Sequence, residues 1–265
     1  MPFWMKFGLD RKHGGIYTCL DRDGKLMDST KSVWFQGRFG FIASYAYNHI
    51  EKKQEWLAAS KSCIDFIETH CTDIDGHLFF EVTEEGIPLR KRRYVFSECF
   101  AAIAMSEYAI ASGDKSYATK ALEMFKRILK FLSTPGFLEP KYLPTLQSRG
   151  HSITMILINT ASRIREVIED PVLDRQINES LTSIRQYFMH PEFKALLEMV
   201  GPKGELIDTC NGRTINPGHC IETSWFIMEE ARHKNWDKDL VQLALQILDW
   251  SWEWGWDCLL YTSPS

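Results

Sequence analysis

No C-x-x-C pair occurs among the seven cysteines of this 265-residue sequence (Cys19, Cys63, Cys71, Cys99, Cys210, Cys220, Cys258), and their number is odd. Neither a disulfide framework nor a zinc ribbon is indicated, and a reducing compartment is expected. Positive charge is not in excess either: 31 Lys and Arg face 35 Asp and Glu, a net charge of −4, so the chain has no field for a polyanion and nucleic acid is not expected as a partner. No apolar run approaches the roughly 18 residues a membrane span needs, and no charged-then-apolar secretory start is present. The reading is a soluble cytoplasmic protein with no membrane partner. Neither G-x-x-x-x-G-K-S/T nor G-x-G-x-x-G occurs, so nucleotide chemistry has no local signature. No His-x-x-x-His or Glu-x-x-His pair accompanies His219, and no metal is expected.

What is present is an ordinary globular composition, 45% hydrophobic and 25% charged, with an excess of aromatics that includes 16 Phe, nine Tyr and nine Trp. Aromatic walls suit a small-molecule pocket, and sugars in particular. Periodicity is mostly helical. Leu122, Phe125, Leu129 and Leu132 recur at spacings of three and four, as do Leu173, Ile177, Leu181, Ile184 and Phe188. Further helices are expected near 32–50, 53–71, 96–112, 152–169, 219–233 and 238–254. Three hairpins are expected in the connections, at Asp21-Arg22-Asp23-Gly24, at Thr83-Glu84-Glu85-Gly86 and at Gly201-Pro202-Lys203-Gly204.

The turn glycines Gly24, Gly86 and Gly204 are spaced by about one and about two multiples of roughly 60 residues, so the chain reads as a series of helix pairs. The connection near 133–150, rich in Pro and Gly, has no clear hairpin. Two concentric rings of six helices would take roughly 360 residues at this repeat length, leaving the domain about a quarter short. Met1 to Phe7 reads as the tail of a helix. Trp254-Gly255-Trp256-Asp257 echoes the Gly8-Leu9-Asp10 approach to the first hairpin, yet no turn glycine follows. The expectation is a partial domain over 1–257 and a foreign or out-of-frame tail over 258–265.

Three constellations carry chemical groups. In Asn216-Pro217-Gly218-His219-Cys220-Ile221-Glu222-Thr223-Ser224-Trp225, a Pro-Gly turn delivers His219 to the first turn of a helix. There the dipole disfavours the imidazolium and leaves a neutral base. Glu222 and Trp225 follow near the same face. On spacing alone, a capping or buried histidine is the commoner outcome. In Trp34-Phe35-Gln36-Gly37-Arg38, Trp34 and Arg38 share a face, and Gly37, which lowers helix propensity by about 1 kcal/mol, signals close packing or ligand approach. A surface cation–π pair is as common an outcome there as sugar recognition. Glu98, in apolar surroundings, needs a partner, for which Arg90, Arg92 or Arg93 are candidates. The run Arg90-Lys91-Arg92-Arg93 itself reads as a solvated loop.

Together these residues resemble the N-acylglucosamine 2-epimerase family, through Gly14-Gly15 with Leu20-Asp21-Arg22-Asp23-Gly24, then Val33 to Arg38, then Arg92-Arg93-Tyr94-Val95-Phe96-Ser97-Glu98, and above all Asn216-Pro217-Gly218-His219 with Glu222 and Trp225. The resemblance implies an all-α (α/α)6 barrel, here incomplete, with short β-hairpins in its connections. It implies an isomerase that interconverts N-acetyl-D-glucosamine and N-acetyl-D-mannosamine by ring opening and proton removal and return at C2. His219 and Glu222 take the catalytic places, and Arg38, Trp34, Glu98 and Trp225 the substrate-binding ones. No cofactor is required, ATP being at most an activator that is not consumed, and a homodimer is an option for the full-length protein. A second catalytic histidine belongs to helix pairs beyond residue 257, so the 265-residue chain is expected to be inactive. A cellobiose 2-epimerase or an aldose–ketose isomerase on the same scaffold is the alternative enzyme, and a helical-repeat binding protein the alternative without chemistry.

Overall fold

The computed structural model describes residues 1–91, 94–139 and 142–256. The expected tail, 258–265, lies outside them. Nine α-helices lie among the described residues: α1 (Pro2–Phe7), α2 (Val33–His49), α3 (Gln54–His70), α4 (Phe96–Ser112), α5 (Ser116–Ser133), α6 (His151–Arg165), α7 (Pro171–Ser183), α8 (Pro217–His233) and α9 (Lys238–Gly255). Short strands fill the connections: β1 (Cys19–Leu20), β2 (Leu26–Asp28), β3 (Lys31–Ser32), β4 (Glu81–Val82), β5 (Pro88–Arg90), β6 (Arg149–Gly150), β7 (Met189–His190), β8 (Ala195–Leu196) and β9 (Met199–Val200). No helix among the described residues is long and apolar enough to cross a membrane. The described residues pack as two units, the first made of those up to 139 together with 163–170, the second of 142–162 together with those from 171 to 256.

In the first unit α4 is the central helix, buried continuously from Ser97 to Ala109 and packed by α2, α3 and α5. Its small residues, Ala101, Ala102 and Ala104, let α2 approach closely. A methyl group on Gly37 would lie 2.6 Å from the Phe100 carbonyl carbon, so the glycine marks close helix packing. On α5 the buried stripe starts as expected with Leu122 and Phe125, then continues through Ile128 and Phe131. Leu129 is only half-buried and Leu132 is 37% exposed, because the true face is the one begun by Ala118 and Ala121. The first two expected hairpins form, β1 with β2 and β4 with β5, and β3 adds to the latter as a third strand. Gly24 and Gly86 take positive φ in their turns.

Beneath these hairpins Lys31 is fully buried, its ammonium 2.7 Å from Asp10 Oδ2, 2.8 Å from Gly14 O and 2.7 Å from Glu84 O. All three ammonium donors are thereby satisfied, which is the condition for burying a charge.

In the second unit the stripe Leu173, Ile177, Leu181, Ile184 and Phe188 is buried throughout. A single π-helical turn at Ile184–Phe188 widens the helix, so the four-residue step to Phe188 stays on the inner face. The third hairpin differs from expectation. Its turn closes, Gly201 N–H donating to Glu205 O at 2.8 Å, but β9 pairs with β6, Arg149 opposite Val200. The Pro- and Gly-rich connection thus supplies the strand that pairs with β9. Nearby, β7 pairs with β8.

Candidate active site

The second unit places His219 by three separate constraints. Asn216 caps α8, its Oδ1 accepting from His219 N–H at 3.2 Å, and Pro217 occupies the first helical turn with a preset φ. Gly255, at the end of α9, lets the two helices meet, since a methyl group there would lie 2.6 Å from Pro217 Cβ. Thr223, one turn along, donates its hydroxyl to His219 O at 2.8 Å.

The imidazole is held by Glu198, in the segment between β8 and β9. His219 Nδ1 lies 2.9 Å from Glu198 Oε2, so Nδ1–H donates to the carboxylate and Nε2 carries the lone pair. No described residue hydrogen-bonds Nε2, and the His219 side chain is 34% exposed. This is the form a general base requires: one nitrogen fixed by an anion, the other open.

The electrostatics reverse one expectation. The helix N-terminus disfavours a charged imidazole, but the hydrogen bond to Glu198 dominates and raises the His219 pKa above its ordinary value, against the opposing effect of burial. Burial pushes the Glu198 carboxyl up; the imidazoles of His151 and His219 outweigh it and hold that carboxyl down at about 2. Glu198 is ionised across the physiological range.

Glu198 and its neighbours His151 and Thr223 were not legible as site residues. Glu198 sits in an apolar run, Leu196-Leu197-Glu198-Met199-Val200, and reaches His219 across 21 positions of sequence. A lone carboxylate in such a run is the one signal that was there to read. Glu222, expected beside His219, is exposed and raises its proton affinity through space; the carboxylate hydrogen-bonded to the ring is Glu198. Trp225 is 51% exposed, its ring 5.1 Å from Phe226.

In the first unit Trp34 is half-buried among the rings of Phe80, Phe96 and Phe100, with centroids 5.2, 5.3 and 5.8 Å away. Arg38 is exposed, its guanidinium 4.3 Å from the Phe100 ring centre in a cation–π contact. Glu98 is fully buried, and its partner is a histidine: Oε1 takes His77 Nδ1–H and the Leu78 N–H. Arg90 instead lies 5.4 Å from the Phe80 ring centre, and Arg92 and Arg93 lie outside the described residues. Lys91 bridges Asp73 and Asp75 at the surface, as a solvated loop would. One group among the described residues could hold a cation: His13, Glu84 and Glu85 bring ligand atoms within 4.8 Å of one another, a cluster with no spacing motif in sequence.

The rat N-acylglucosamine 2-epimerase (Rattus norvegicus) is 30% identical over 265 residues, covering 97% of this chain and 63% of its own length. The chain thus spans somewhat less than two thirds of that relative. Among solved structures, the cellobiose 2-epimerase of Bacillus thermoamylovorans B4167 superposes with a TM-score of 0.84 at 20% identity, covering 97% of this chain and 70% of that one. A D-mannose isomerase superposes with a TM-score of 0.78 at 15% identity, covering 97% and 69%. These likenesses show the fold, the (α/α)6 class with short strands in its connections that the sequence led us to expect. The sequence profile of the N-acylglucosamine 2-epimerase (GlcNAc 2-epimerase) family matches residues 15–261, and the chain belongs to that family of sugar epimerases.

Proposed function

We propose that the protein contributes proton transfer to a sugar 2-epimerase reaction that interconverts N-acetyl-D-glucosamine and N-acetyl-D-mannosamine. The observation that carries this reading is the His219–Glu198 pair, a ring nitrogen fixed at 2.9 Å by a carboxylate with the other nitrogen open. In the open-chain sugar the C2 hydrogen is acidified by the adjacent aldehyde. His219 Nε2 takes that proton, the electron pair moves into the C1–C2 bond to give an enolate with its charge on the former aldehyde oxygen, and the imidazolium formed is stabilised by Glu198. Return of a proton to the other face of C2 gives the epimer. Glu222 and Trp225, exposed one and two turns along α8, are proposed to bind a sugar hydroxyl and an apolar sugar face.

Inversion takes two proton-transfer groups on opposite faces of the planar enolate, and His219 is proposed as one. The test is incubation in D2O with N-acetylmannosamine, cellobiose or mannose, followed by NMR. Deuterium at C2 of N-acetylmannosamine supports the proposal. Exchange confined to cellobiose or mannose reassigns the substrate, and no exchange with any of the three overturns the reading.

A further inference from the structure

His151, the first residue of α6, is fully buried, and it is tied to both groups that hold His219. Its backbone N–H donates to Glu198 O at 3.0 Å. Its Nε2 lies 3.0 Å from Thr223 Oγ1. Thr223 has one hydroxyl proton, given to His219 O at 2.8 Å, so toward His151 the oxygen accepts and Nε2 is the protonated nitrogen. On the other side of the ring, Nδ1 is buried with no hydrogen-bond partner, 3.8 Å from Glu198 Oε2. That is the same oxygen that holds His219 at 2.9 Å. The edge-on Phe188 ring, 5.5 Å away, packs against the His151 imidazole.

A bare lone pair on the fully buried Nδ1 would face a carboxylate oxygen, a repulsive contact. A proton on Nδ1 turns the contact into an attraction. One carboxylate oxygen then serves two imidazoles. Among the described residues, the other ionisable groups that act on the cluster are Glu222, on the same helix as His219, and Cys220, whose thiol is pushed up to about 12 chiefly by burial and so stays neutral.

We propose that His151 is a positioning and tuning residue for His219: protonated on both ring nitrogens, it draws on the charge of Glu198 and keeps His219 Nε2 free to accept a proton near neutral pH. Glu198 alone would favour the His219 imidazolium, which cannot act as a base. The shared oxygen sets a compromise in which Glu198 still fixes the tautomer and orientation of His219 without saturating its charge. The purpose assigned to this arrangement rests on the function proposed above, but the arrangement is testable with no sugar present.

The experiment is a 15N-edited NMR titration of the ring nitrogens in the 265-residue chain, with circular dichroism confirming the fold of each variant. In the wild type at pH 7, both His151 ring nitrogens should report as protonated; an unprotonated Nδ1 there overturns the proposal. His151→Gln should raise the His219 midpoint, lowering the neutral fraction near pH 7 by about threefold or more. Glu198→Gln should move it the opposite way. A His219 midpoint that stays or falls in folded His151→Gln also overturns the proposal, because a merely structural histidine would leave the midpoint where it was. Should the variant not fold, the wild-type nitrogen signals decide alone. Failure of deuterium exchange into sugars would count against the proposed function and not against this result.

Discussion

Replacing Glu198 by Gln keeps the shape and one acceptor while removing the charge between His219 and His151. In the native protein burial pushes the Glu198 carboxyl up, and the two imidazoles hold it at about 2 against an ordinary 4.5. That displacement corresponds to about 3 kcal/mol of pH-dependent stability, an upper figure because the side chain is 24% exposed and solvent screens part of the interaction. The folded carboxyl is depressed, so its contribution is complete above 4.5 and is lost as pH falls toward about 2. The His219 imidazole is raised, so its side of the same interaction is complete below the ordinary 6.5 and fades as pH rises through the folded value. These are two views of one cluster and do not add. The difference in unfolding free energy between wild type and Glu198→Gln should therefore be widest between about pH 4.5 and 6.5 and narrow on both sides. The acid side should show the larger loss, because protonating Glu198 ends its interaction with both imidazoles, whereas deprotonating His219 ends only one of them. Urea unfolding across that pH range measures it. A difference that does not vary with pH, or a variant as stable as wild type near pH 5.5, would refute the electrostatic account.

Three further substitutions test the scaffold. Lys31→Met should destabilise by about 3–5 kcal/mol in urea unfolding, since it leaves the buried Asp10 carboxylate without its 2.7 Å partner; a loss under about 1 kcal/mol would mean the ammonium is not needed. Gly37→Ala gains about 1 kcal/mol of helix propensity, yet its methyl group meets Phe100 backbone at 2.6 Å, so the melting temperature should fall rather than rise. Gly255→Ala drives a methyl group into Pro217, and should cost about 1–3 kcal/mol while shifting the NMR signals of His219. A melting loss with His219 signals unmoved would show that this contact does not place the site.

Much of the fold was legible because helices declare themselves locally. The Leu173 to Phe188 stripe, the helix whose first turn carries His219 and the first two hairpin turns each depend on residues a few positions apart, and each forms. Pairing across the sequence was not legible. The Gly201–Gly204 turn has the local chemistry of a hairpin, but β9 finds β6 some fifty residues earlier. In α5 two apolar faces a residue apart both satisfy the period, and burial against α4 selected the one containing Ile128 and Phe131. The site divides in the same way. His219 could be read from its turn, whereas its carboxylate could not: Glu222 is near in sequence and exposed, while Glu198 arrives through the fold. Glu98 shows the same limit, since its neighbouring arginines suggested an ion pair and the fold supplied His77.

His219 Nε2 is the group proposed to remove the C2 proton of an N-acetylhexosamine. The direct measurement is deuterium incorporation at C2 of N-acetylmannosamine in D2O, compared between wild type and His219→Gln, with both shown to be folded by circular dichroism. The account predicts exchange in the wild type, with loss to the background rate in the variant. Exchange that persists in folded His219→Gln, or none in the wild type, would contradict it.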